Sequence, residues 1–363
     1  FLAEVPWIAQ DNQPVCADVD PDDLCFVLFT SGTTGRPNGV RVSHRNLCNI
    51  LLTEPGRMGM APGRTVGQIL NIGFDMAAWE ILGCLAHGAT LMIRGKHIAP
   101  TAAQCDVLIA TPSILATLEP RQCPLLKVVA VAGEPCPQSL ADHWAGHCDF
   151  YNGCGPTETT IVNTLHRHVP GTLLTIGQPT PNNTVYVLDA QGQACALGEI
   201  GEMWGGGVGV TAGYLGNPEL TAQRYRPDPF IGAGALMFRT RDLGRWTRDG
   251  QLEHLGRVDD QVKVRGFRVE LDAVSATLEA SAGCARAVTL KFDDRHLVAF
   301  VSPASVDIDA CRRHCEQRLA YYCVPSRIYA LDQLPLTSRG KVDKALLLQW
   351  ARQRQAVKET GDA

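Results

Sequence analysis

A short run of glycines and hydroxyl-bearing residues near the start of the chain has the composition of a phosphate-binding loop. Glycines allow backbone N–H groups to approach an anion closely, and hydroxyl side chains add further donors. No Gly-Lys-Ser/Thr sequence closes the run, so its spacing differs from that of a P-loop NTPase. The candidate phosphate-binding residues are Thr30, Ser31, Gly32, Thr33, Thr34 and Gly35.

Charged side chains in later turns could complete a nucleotide site. Glu158 follows a Gly-Pro turn, and one carboxylate beside bound phosphates is a common way to hold Mg²⁺. Asp242 could accept hydrogen bonds from a ribose diol, as acids do in other nucleotide sites. Residues 256–266 form a charged turn and strand, and Lys341 follows a glycine in the turn at residues 334–344. Taken singly, each of these turns is also consistent with an ordinary solvated loop.

The elements that must position these residues can be predicted from hydrophobic patterning. Residues 24–29 are apolar and β-prone, which predicts a buried strand before the glycine-rich turn. Ser43 can cap a following helix whose apolar positions include Leu47, Ile50 and Leu51. We therefore expect strand, turn and helix to form the phosphate-binding unit.

Strand-like runs alternate with helical patterns between residues 24 and 162. This alternation predicts an α/β domain with a mostly parallel sheet, in which ligands bind at the carboxyl ends of the strands. After residue 162, short strands between Gly, Pro and Asn turns predict a β-rich subdomain. From residue 271 helices and strands alternate again, and residues 344–358 form a polar helix. The predicted fold is a large α/β domain with a β-rich subdomain, followed by a small α+β C-terminal domain.

The composition excludes several classes of partner. The chain has 363 residues, of which 45% are hydrophobic and 19% charged, as in soluble globular proteins. Its net charge of −4 offers no obvious complement to nucleic acid or to an acidic membrane. No apolar run is long enough to span a bilayer, and the first residues lack the basic start of a signal peptide. We therefore expect a cytoplasmic protein without nucleic-acid or membrane partners.

The fourteen cysteines are scattered along the chain, and no Cys-x-x-Cys pair occurs among them. Their densest cluster comprises Cys311, His314, Cys315 and Cys323. A metal site is one interpretation of this cluster. Buried thiols in a reduced cytosolic protein are the interpretation that the irregular spacing favours.

The order of these segments along the chain resembles that of the adenylate-forming superfamily, and most closely that of the adenylation domains of nonribosomal peptide synthetases. The resemblance extends from Phe29 to Lys344 and includes residues 201–215. The family's large domain normally has a further portion before the Thr/Ser/Gly-rich loop, so we expect this chain to be a fragment. The resemblance implies an AMP-forming ligase that uses ATP and Mg²⁺ to activate an amino acid. The activated amino acid would pass to the phosphopantetheine thiol of a partner carrier domain.

The resemblance also implies roles for individual residues. Residues 30–35 would surround the ATP β- and γ-phosphates, and Glu158 would bind Mg²⁺. Asp242 would bind the ribose hydroxyls, and Arg257 would contact the nucleotide near the ribose. Lys341 would be a mobile catalytic lysine that offsets the charge developing on the α-phosphate. The remaining implied nucleotide-binding positions are Gly153, Cys154 and Thr157.

A hinge is implied at Asp259 or Asp260. The implied boundaries are residues 1–258 for a partial large adenylation subdomain, 259–345 for a small C-terminal subdomain, and 346–363 for a linker helix toward a downstream domain. Rotation about the hinge would withdraw the catalytic lysine after adenylation. The same rotation would bring residues 261–266 to the site for thioester formation.

Asp75 is the residue that the resemblance assigns to the α-ammonium group of the substrate. A buried carboxylate is costly unless a cation meets it, so Asp75 favours an α-amino acid over an aryl or fatty acid. Helix capping is the alternative role for this aspartate. The other pocket positions carry no charge, which favours a large hydrophobic or aromatic substrate side chain. They are Met76, Trp79, Ile109, Ala130, Ala132, Gly153, Ile161 and Val162.

Two alternatives to an amino-acid-activating domain remain open. An acyl- or aryl-CoA ligase of the same superfamily would share the nucleotide site but would not need Asp75. A non-catalytic module kept for docking carrier domains is suggested by Asn38 and Cys154, where the family usually has a lysine and an aromatic residue. Retention of Lys341 and of the two acids of the nucleotide site argues against this second alternative.

Overall fold

The structure, a computed structural model, describes residues 18–30, 37–232, 234–258, 261–335 and 342–361. Its strands, numbered in chain order, are β1 (Leu24–Thr30), β2 (Asn38–Ser43), β3 (Thr65–Gln68), β4 (Thr90–Ile93), β5 (Val107–Ala110), β6 (Val128–Val131), β7 (Asp149–Cys154), β8 (Thr164–His168), β9 (Gln178–Pro179), β10 (Asn183–Leu188), β11 (Gly201–Gly207), β12 (Tyr225–Pro227), β13 (Leu236–Trp246), β14 (Leu252–Arg257), β15 (Gln261–Val264), β16 (Phe267–Glu270), β17 (Arg286–Lys291), β18 (Leu297–Ser302) and β19 (Arg327–Ala330). Its helices are α1 (His44–Leu52), α2 (Asp75–Ala86), α3 (Ala99–Ala102), α4 (Pro112–Leu115), α5 (Gln138–Ala145), α6 (Pro218–Arg224), α7 (Leu271–Glu279), α8 (Ile308–Arg318) and α9 (Lys344–Gly361).

A seven-stranded sheet in the order β4-β3-β5-β6-β7-β8-β9 forms the centre of the large domain. The first five strands in this order are parallel, and β8 and β9 complete the sheet as antiparallel strands. Strand β5 is buried along its whole length, as expected for a continuous apolar run in a parallel sheet covered on both faces. The predicted α/β fold with a mostly parallel sheet is confirmed.

The glycine-rich segment joins two strands, which corrects the strand–turn–helix prediction. Strand β2 follows the segment and pairs antiparallel with β1, so that Thr30 lies opposite Asn38. The predicted helix α1 begins only after β2, with Ser43 as its N-cap in a reciprocal capping box with Asn46. Strand β1 is also less buried than predicted, because it pairs with β2 in a two-stranded sheet and leaves Phe29 63% exposed.

An antiparallel sheet of five strands confirms the predicted β-rich subdomain. Its order is β10-β11-β13-β12, and β14 pairs with residues 242–246 in the C-terminal part of the long strand β13. The pairing of β13 with β14 places Asp242 directly opposite Arg257. This register brings two predicted nucleotide-binding residues together.

The C-terminal residues form the predicted α+β unit. It contains the β15–β16 hairpin, a three-stranded sheet in the order β17-β18-β19, and the helices α7 and α8. Its core includes the buried thiols of Cys311, Cys315 and Cys323, an arrangement that the thiol interpretation of that cluster predicts. The final helix α9 packs Leu347 and Ala351 against this unit. The exact domain boundaries stay a prediction.

Candidate active site

The carboxyl ends of β5, β6 and β7 lie side by side, as the parallel register requires. Ile109 and Ala130 are paired across β5 and β6 and are both buried, and Ala132 follows β6 directly. Gly133, with a φ of 88°, comes next in the left-handed region that glycine adopts without strain. A Cβ on Gly133 would lie 3.5 Å from the sulfur of Met76, so the N-terminus of α2 meets the end of β6 here.

Asp75 is the first residue of α2 and lies at this meeting point. It is half-buried, and its carboxylate accepts a hydrogen bond from the N–H of Met76 at 2.8 Å. Burial raises the pKa of Asp75, although hydrogen bonding from Thr157 and the positive charge of Lys263 partly oppose that effect. The carboxylate therefore accepts a hydrogen bond within the first turn of α2, whose N-cap is Phe74, and also lies near a cation of the C-terminal unit.

The other predicted pocket residues are packed inside the large domain. Trp79 is fully buried, and its indole N–H donates a hydrogen bond to the Gly56 carbonyl at 2.6 Å. Ile161 and Val162 are buried as well, and a Cβ on Gly153 would lie 2.9 Å from a methyl carbon of Val162. Gly153 and Val162 are therefore in close contact near the end of β7, and the roles of all these residues as substrate-pocket walls stay a prediction.

Glu158, the predicted metal ligand, is fully buried and surrounded by donors. The Tyr214 hydroxyl donates to its Oε1 at 2.6 Å. Arg268 Nη1 donates to Oε1 at 2.9 Å and to Oε2 at 3.2 Å. Burial alone would favour the neutral acid, but the charges of Arg268 and Arg224 outweigh it and hold the pKa of Glu158 below its ordinary value. Glu158 is therefore an ionised carboxylate whose partner in this arrangement is a guanidinium group.

The turn that carries Glu158 is tightly constrained. Thr160 and Ile161 have φ values of 60° and 69°, and β-branched residues rarely adopt this left-handed conformation. The Thr160 hydroxyl donates to the Gly209 carbonyl at 2.7 Å, and the N–H of Thr211 donates to the Glu158 carbonyl at 3.0 Å. Backbone strain of this kind persists where surrounding contacts hold it, and it often occurs at functional sites.

Asp242, the predicted ribose ligand, is buried at the bulge between β13 and β14. Arg257 Nη1 donates to its Oδ1 at 2.5 Å, and His254 Nε2 lies 3.4 Å from the same oxygen. Burial opposes ionisation, yet hydrogen bonding from His254 and the charge of Arg257 hold the pKa of Asp242 below its ordinary value. Cys154 lies in the apolar cluster next to this site, and burial raises the pKa of its thiol to about 12.

The β15–β16 hairpin covers this region, and most of its contacts were not predicted from the sequence. A Cβ on Gly266 would lie 3.0 Å from the Thr111 methyl group. The rings of Phe267 and Phe74 have their centroids 4.4 Å apart. Residues 261–266 are the segment predicted to approach the site, and Phe267 and Arg268 lie just beyond that segment. The charged and aromatic character of residues 265–268 was the available signal.

Several predicted site residues lie outside the residues that the structure describes. Thr30 is described, and its hydroxyl lies 3.4 Å from the Asn38 carbonyl oxygen across the β1–β2 pair. The predicted residues outside the described ranges are Ser31, Gly32, Thr33, Thr34, Gly35, Asp259, Asp260 and Lys341.

The fold and this arrangement of residues can be compared with known proteins. Residues 2–215 match the family of AMP-binding enzymes, which is more than half of the chain, and the chain belongs to that family. The chain is therefore a member of the adenylate-forming superfamily, and its sequence relatives and similar solved structures include nonribosomal peptide synthetases and adenylation domains. The predicted resemblance is confirmed.

The chain is similar in sequence to parts of much longer fungal proteins. It is 49% identical over 364 residues to adenylate-forming reductase 03009 of Coprinopsis cinerea, which covers 96% of this chain and 35% of that protein. It is 39% identical over 332 residues to nonribosomal peptide synthetase 5 of Aspergillus fumigatus, which covers 91% of this chain and 15% of that protein. The chain thus spans about a third or less of the length of these relatives.

Two solved adenylation structures have the same fold. The adenylation domain AlmE of Vibrio cholerae, in complex with glycyl-adenosine-5'-phosphate, aligns with a TM-score of 0.83 at 27% identity and covers 92% of this chain and 67% of that one. A holo nonribosomal peptide synthetase protein with adenylation and PCP domains aligns with a TM-score of 0.84 at 25% identity, covering 95% and 63% of the two chains. Among the described residues, no helix has the length and apolarity needed to cross a membrane.

Proposed function

We propose that this chain activates an α-amino acid with ATP as an aminoacyl-adenylate and passes the aminoacyl group to the phosphopantetheine thiol of a carrier domain. The observation that carries this proposal is the Asp75 carboxylate at the N-terminus of α2. It lies beside the ends of β5 and β6 at a position whose predicted neighbours in the pocket carry no charge. A half-buried carboxylate at such a position requires a cation. The α-ammonium group of an amino acid would supply the charge that Lys263 supplies in this arrangement.

The names of similar proteins support both the aminoacyl-adenylate and the carrier domain in this proposal. The AlmE structure contains glycyl-adenosine-5'-phosphate, an aminoacyl-adenylate, and other similar structures contain a PCP domain next to the adenylation domain. Met76, Ile109, Ala130 and Ala132 would favour a large hydrophobic or aromatic side chain. The pocket positions themselves are inferred from the family resemblance.

In the proposed reaction, the substrate carboxylate oxygen attacks the α-phosphorus of ATP, a P–O bond forms, and pyrophosphate leaves. Asp75 would hold the ammonium end of the substrate, while Asp242 and Arg257 would hold the ribose end of the nucleotide. Lys341 would place its ammonium group between the substrate carboxylate and the α-phosphate. A preorganised cation at that position stabilises the negative charge that develops on the phosphoryl oxygens.

Mg²⁺ would supply further charge stabilisation when bound, but the arrangement described here does not fit it. Both oxygens of Glu158 accept hydrogen bonds from Arg268, and Tyr214 donates to one of them as well. Among the described residues, no group of three or more His, Cys, Asp or Glu side chains is arranged to hold a metal ion. Glu158 as the metal ligand is therefore proposed only for a state in which Arg268 has withdrawn.

ATP–pyrophosphate exchange across the twenty amino acids and a panel of aryl acids tests the proposal. We expect exchange with one or a few hydrophobic or aromatic amino acids. Asp75→Asn keeps an acceptor for the N–H of Met76 but removes the charge, so exchange should fall by roughly 10²- to 10³-fold, the cost of an unpaired desolvated ammonium. Exchange with the same substrate lacking its amine should fall much less in Asp75→Asn. Near wild-type exchange by Asp75→Asn would instead favour an aryl- or acyl-acid ligase.

A second candidate concerns the step after activation. The identity to adenylate-forming reductase 03009 is higher than the identity to nonribosomal peptide synthetase 5. This difference favours a synthetase-like reductase, in which the carrier-bound thioester would be reduced by a hydride donor. Product analysis with the full-length protein distinguishes the two, because reduction releases an aldehyde or alcohol and condensation yields an amide.

A further inference from the structure

Arg268, on strand β16 of the C-terminal unit, reaches into the large domain and contacts Glu158. Its Nη1 lies 2.9 Å from Oε1 and 3.2 Å from Oε2 of that carboxylate. The Glu158 side chain is fully buried and the Arg268 side chain is 15% exposed, so the pair lies largely outside water. An ion pair of this kind couples the two units far more strongly than a surface salt bridge does.

The carboxylate has little capacity left for another ligand. Oε1 accepts hydrogen bonds from both the Tyr214 hydroxyl, at 2.6 Å, and Arg268 Nη1. The guanidinium of Arg268 also bonds Glu270, which orients it toward Glu158. A divalent cation needs the same carboxylate lone pairs that these donors use. Arg268 and a metal ion would therefore compete for Glu158, and their positive charges would repel each other at such short range.

The position of Arg268 depends on how the β15–β16 hairpin docks. The adjacent Phe267 packs against Phe74 of the large domain at a centroid distance of 4.4 Å and stacks on Tyr322 of its own unit at 3.9 Å. Gly266 approaches Thr111 so closely that a Cβ would lie 3.0 Å from the threonine methyl group. These neighbours fix the hairpin on the large domain, so Arg268 can leave Glu158 only if this docking loosens or the arginine side chain turns away.

We propose that Arg268 takes the place of a divalent cation on Glu158, so that docking of the β15–β16 hairpin and metal binding at Glu158 exclude each other. Withdrawal of Arg268 leaves a buried carboxylate without its main counter-charge, and a metal ion restores it. The coupling is reciprocal, because if metal binding weakens docking of the hairpin, docking lowers the affinity for the metal by the same factor. This inference rests on the proposed role of Glu158 as the metal ligand.

Metal affinity in a matched pair of variants provides the first test. Arg268→Gln removes the guanidinium, and Arg265→Gln removes the same charge from an exposed position three residues earlier on the same hairpin. Binding of Mn²⁺ is measured by the loss of its free electron paramagnetic resonance signal, with the full chain and α,β-methylene-ATP. Arg268→Gln should bind Mn²⁺ roughly five- to a hundredfold more tightly than the wild type, the usual range of such couplings. Arg265→Gln should bind it as the wild type does.

Hydrogen–deuterium exchange of residues 261–270 provides a second readout that does not involve catalysis. In metal-free protein, Arg268→Gln should exchange faster in this segment than the wild type, whereas exchange in β5 and β6 should stay slow if the variant remains folded. Adding Mn²⁺ with the nucleotide analogue should speed exchange of the same segment in the wild type.

The outcomes separate this inference from the proposed function. If Glu158→Gln leaves Mn²⁺ affinity unchanged, Glu158 is not the metal ligand and the proposed metal site fails. If Glu158→Gln weakens Mn²⁺ binding while Arg268→Gln binds it as the wild type does, the metal site stands and the exclusion is refuted. An equal gain in Arg265→Gln and Arg268→Gln would also refute it, because the effect would then be one of net charge.

Discussion

Glu80 offers a test of how burial changes the pKa of a carboxylate on the helix that begins with Asp75. It lies on α2 and is fully buried, and its Oε1 accepts hydrogen bonds from the N–H groups of Ile69 and Leu70 at 3.0 and 3.3 Å. These residues begin the segment that leads from β3 to Asp75 at the start of α2. Burial raises the pKa of Glu80 from an ordinary value of 4.5 to about 8, although the N–H groups and Arg94 favour the charged form.

This shift makes the stability of the fold depend on pH in a definite direction. Between the two pKa values the folded protein holds a proton on Glu80 that the unfolded chain releases, so stability falls as the pH rises toward 8. With about 1.4 kcal/mol for each pKa unit, the loss from this one group between pH 5 and pH 9 amounts to about 4 kcal/mol. Glu80→Gln cannot lose a proton and should not show this loss.

Urea unfolding of wild type and Glu80→Gln between pH 5 and pH 9 measures the effect. Trp79 and Trp144 are buried in the same core, so tryptophan fluorescence reports on it. The difference in unfolding free energy between the two proteins should change by about 4 kcal/mol in favour of Glu80→Gln as the pH rises. The slope matters more than the absolute difference, because a glutamine that leaves its amide unpaired adds a constant cost of about 1–3 kcal/mol.

A matched control and a clear contrary result complete this experiment. Glu219→Gln removes an exposed carboxylate from the first turn of α6 and should leave the curve parallel to that of the wild type. A constant difference between wild type and Glu80→Gln across the pH range would refute the reasoning. It would mean that the N–H groups of residues 69 and 70 keep the buried carboxylate ionised in the folded protein.

Two further predictions concern the turn at Glu158 and the proposed catalytic lysine. Gly155→Ala would place a Cβ 2.7 Å from backbone atoms of Val162 and Asn163, so unfolding experiments should show a loss of stability of roughly 1–3 kcal/mol. Gly95→Ala is the control, because its Cβ would have no atom within 4 Å and should change stability little. Equal losses in the two variants would contradict the packing argument. Lys341→Ala should lower the rate of ATP–pyrophosphate exchange by at least about a hundredfold with little change in ATP affinity, since the lysine would act mainly in the transition state. Lys344→Ala is the matched control, and a loss of exchange in that variant alone would show that the lysine has been misassigned.

The local structure that follows from short-range chemistry was predictable from the sequence. Ser43 caps α1 as expected, because a cap depends on residues within one turn of the helix. The parallel sheet was predictable from the alternation of apolar strands and helices. The short strand β2 was not predicted, although the β-prone Val40 and Val42 flank the half-buried Arg41 and are themselves buried. So short a stretch gives only a weak strand signal between the glycine-rich run and the capped helix.

The contacts that define the candidate site were less accessible, because they join residues far apart in the chain. Arg268 and Glu158 are 110 positions apart, and no local pattern relates them. The pairing of Asp242 with Arg257 is closer in sequence, yet it depends on the register of β13 and β14. A family resemblance gave the type of residue at each position, and only the tertiary structure shows which charges meet.

Two acids of the candidate site follow one pattern. Asp75 and Glu158 come from the large domain, and each is stabilised by the charge of a residue on the β15–β16 hairpin, Lys263 in one case and Arg268 in the other. The two acids have lost hydration through burial, so each keeps its charge at a low cost only while a cation is near. If the hairpin withdraws, both carboxylates need replacement cations, and the substrate ammonium and a metal ion are the replacements that the proposed reaction provides. Exchange of one set of cations for the other would therefore link the position of the C-terminal unit to the presence of both substrates.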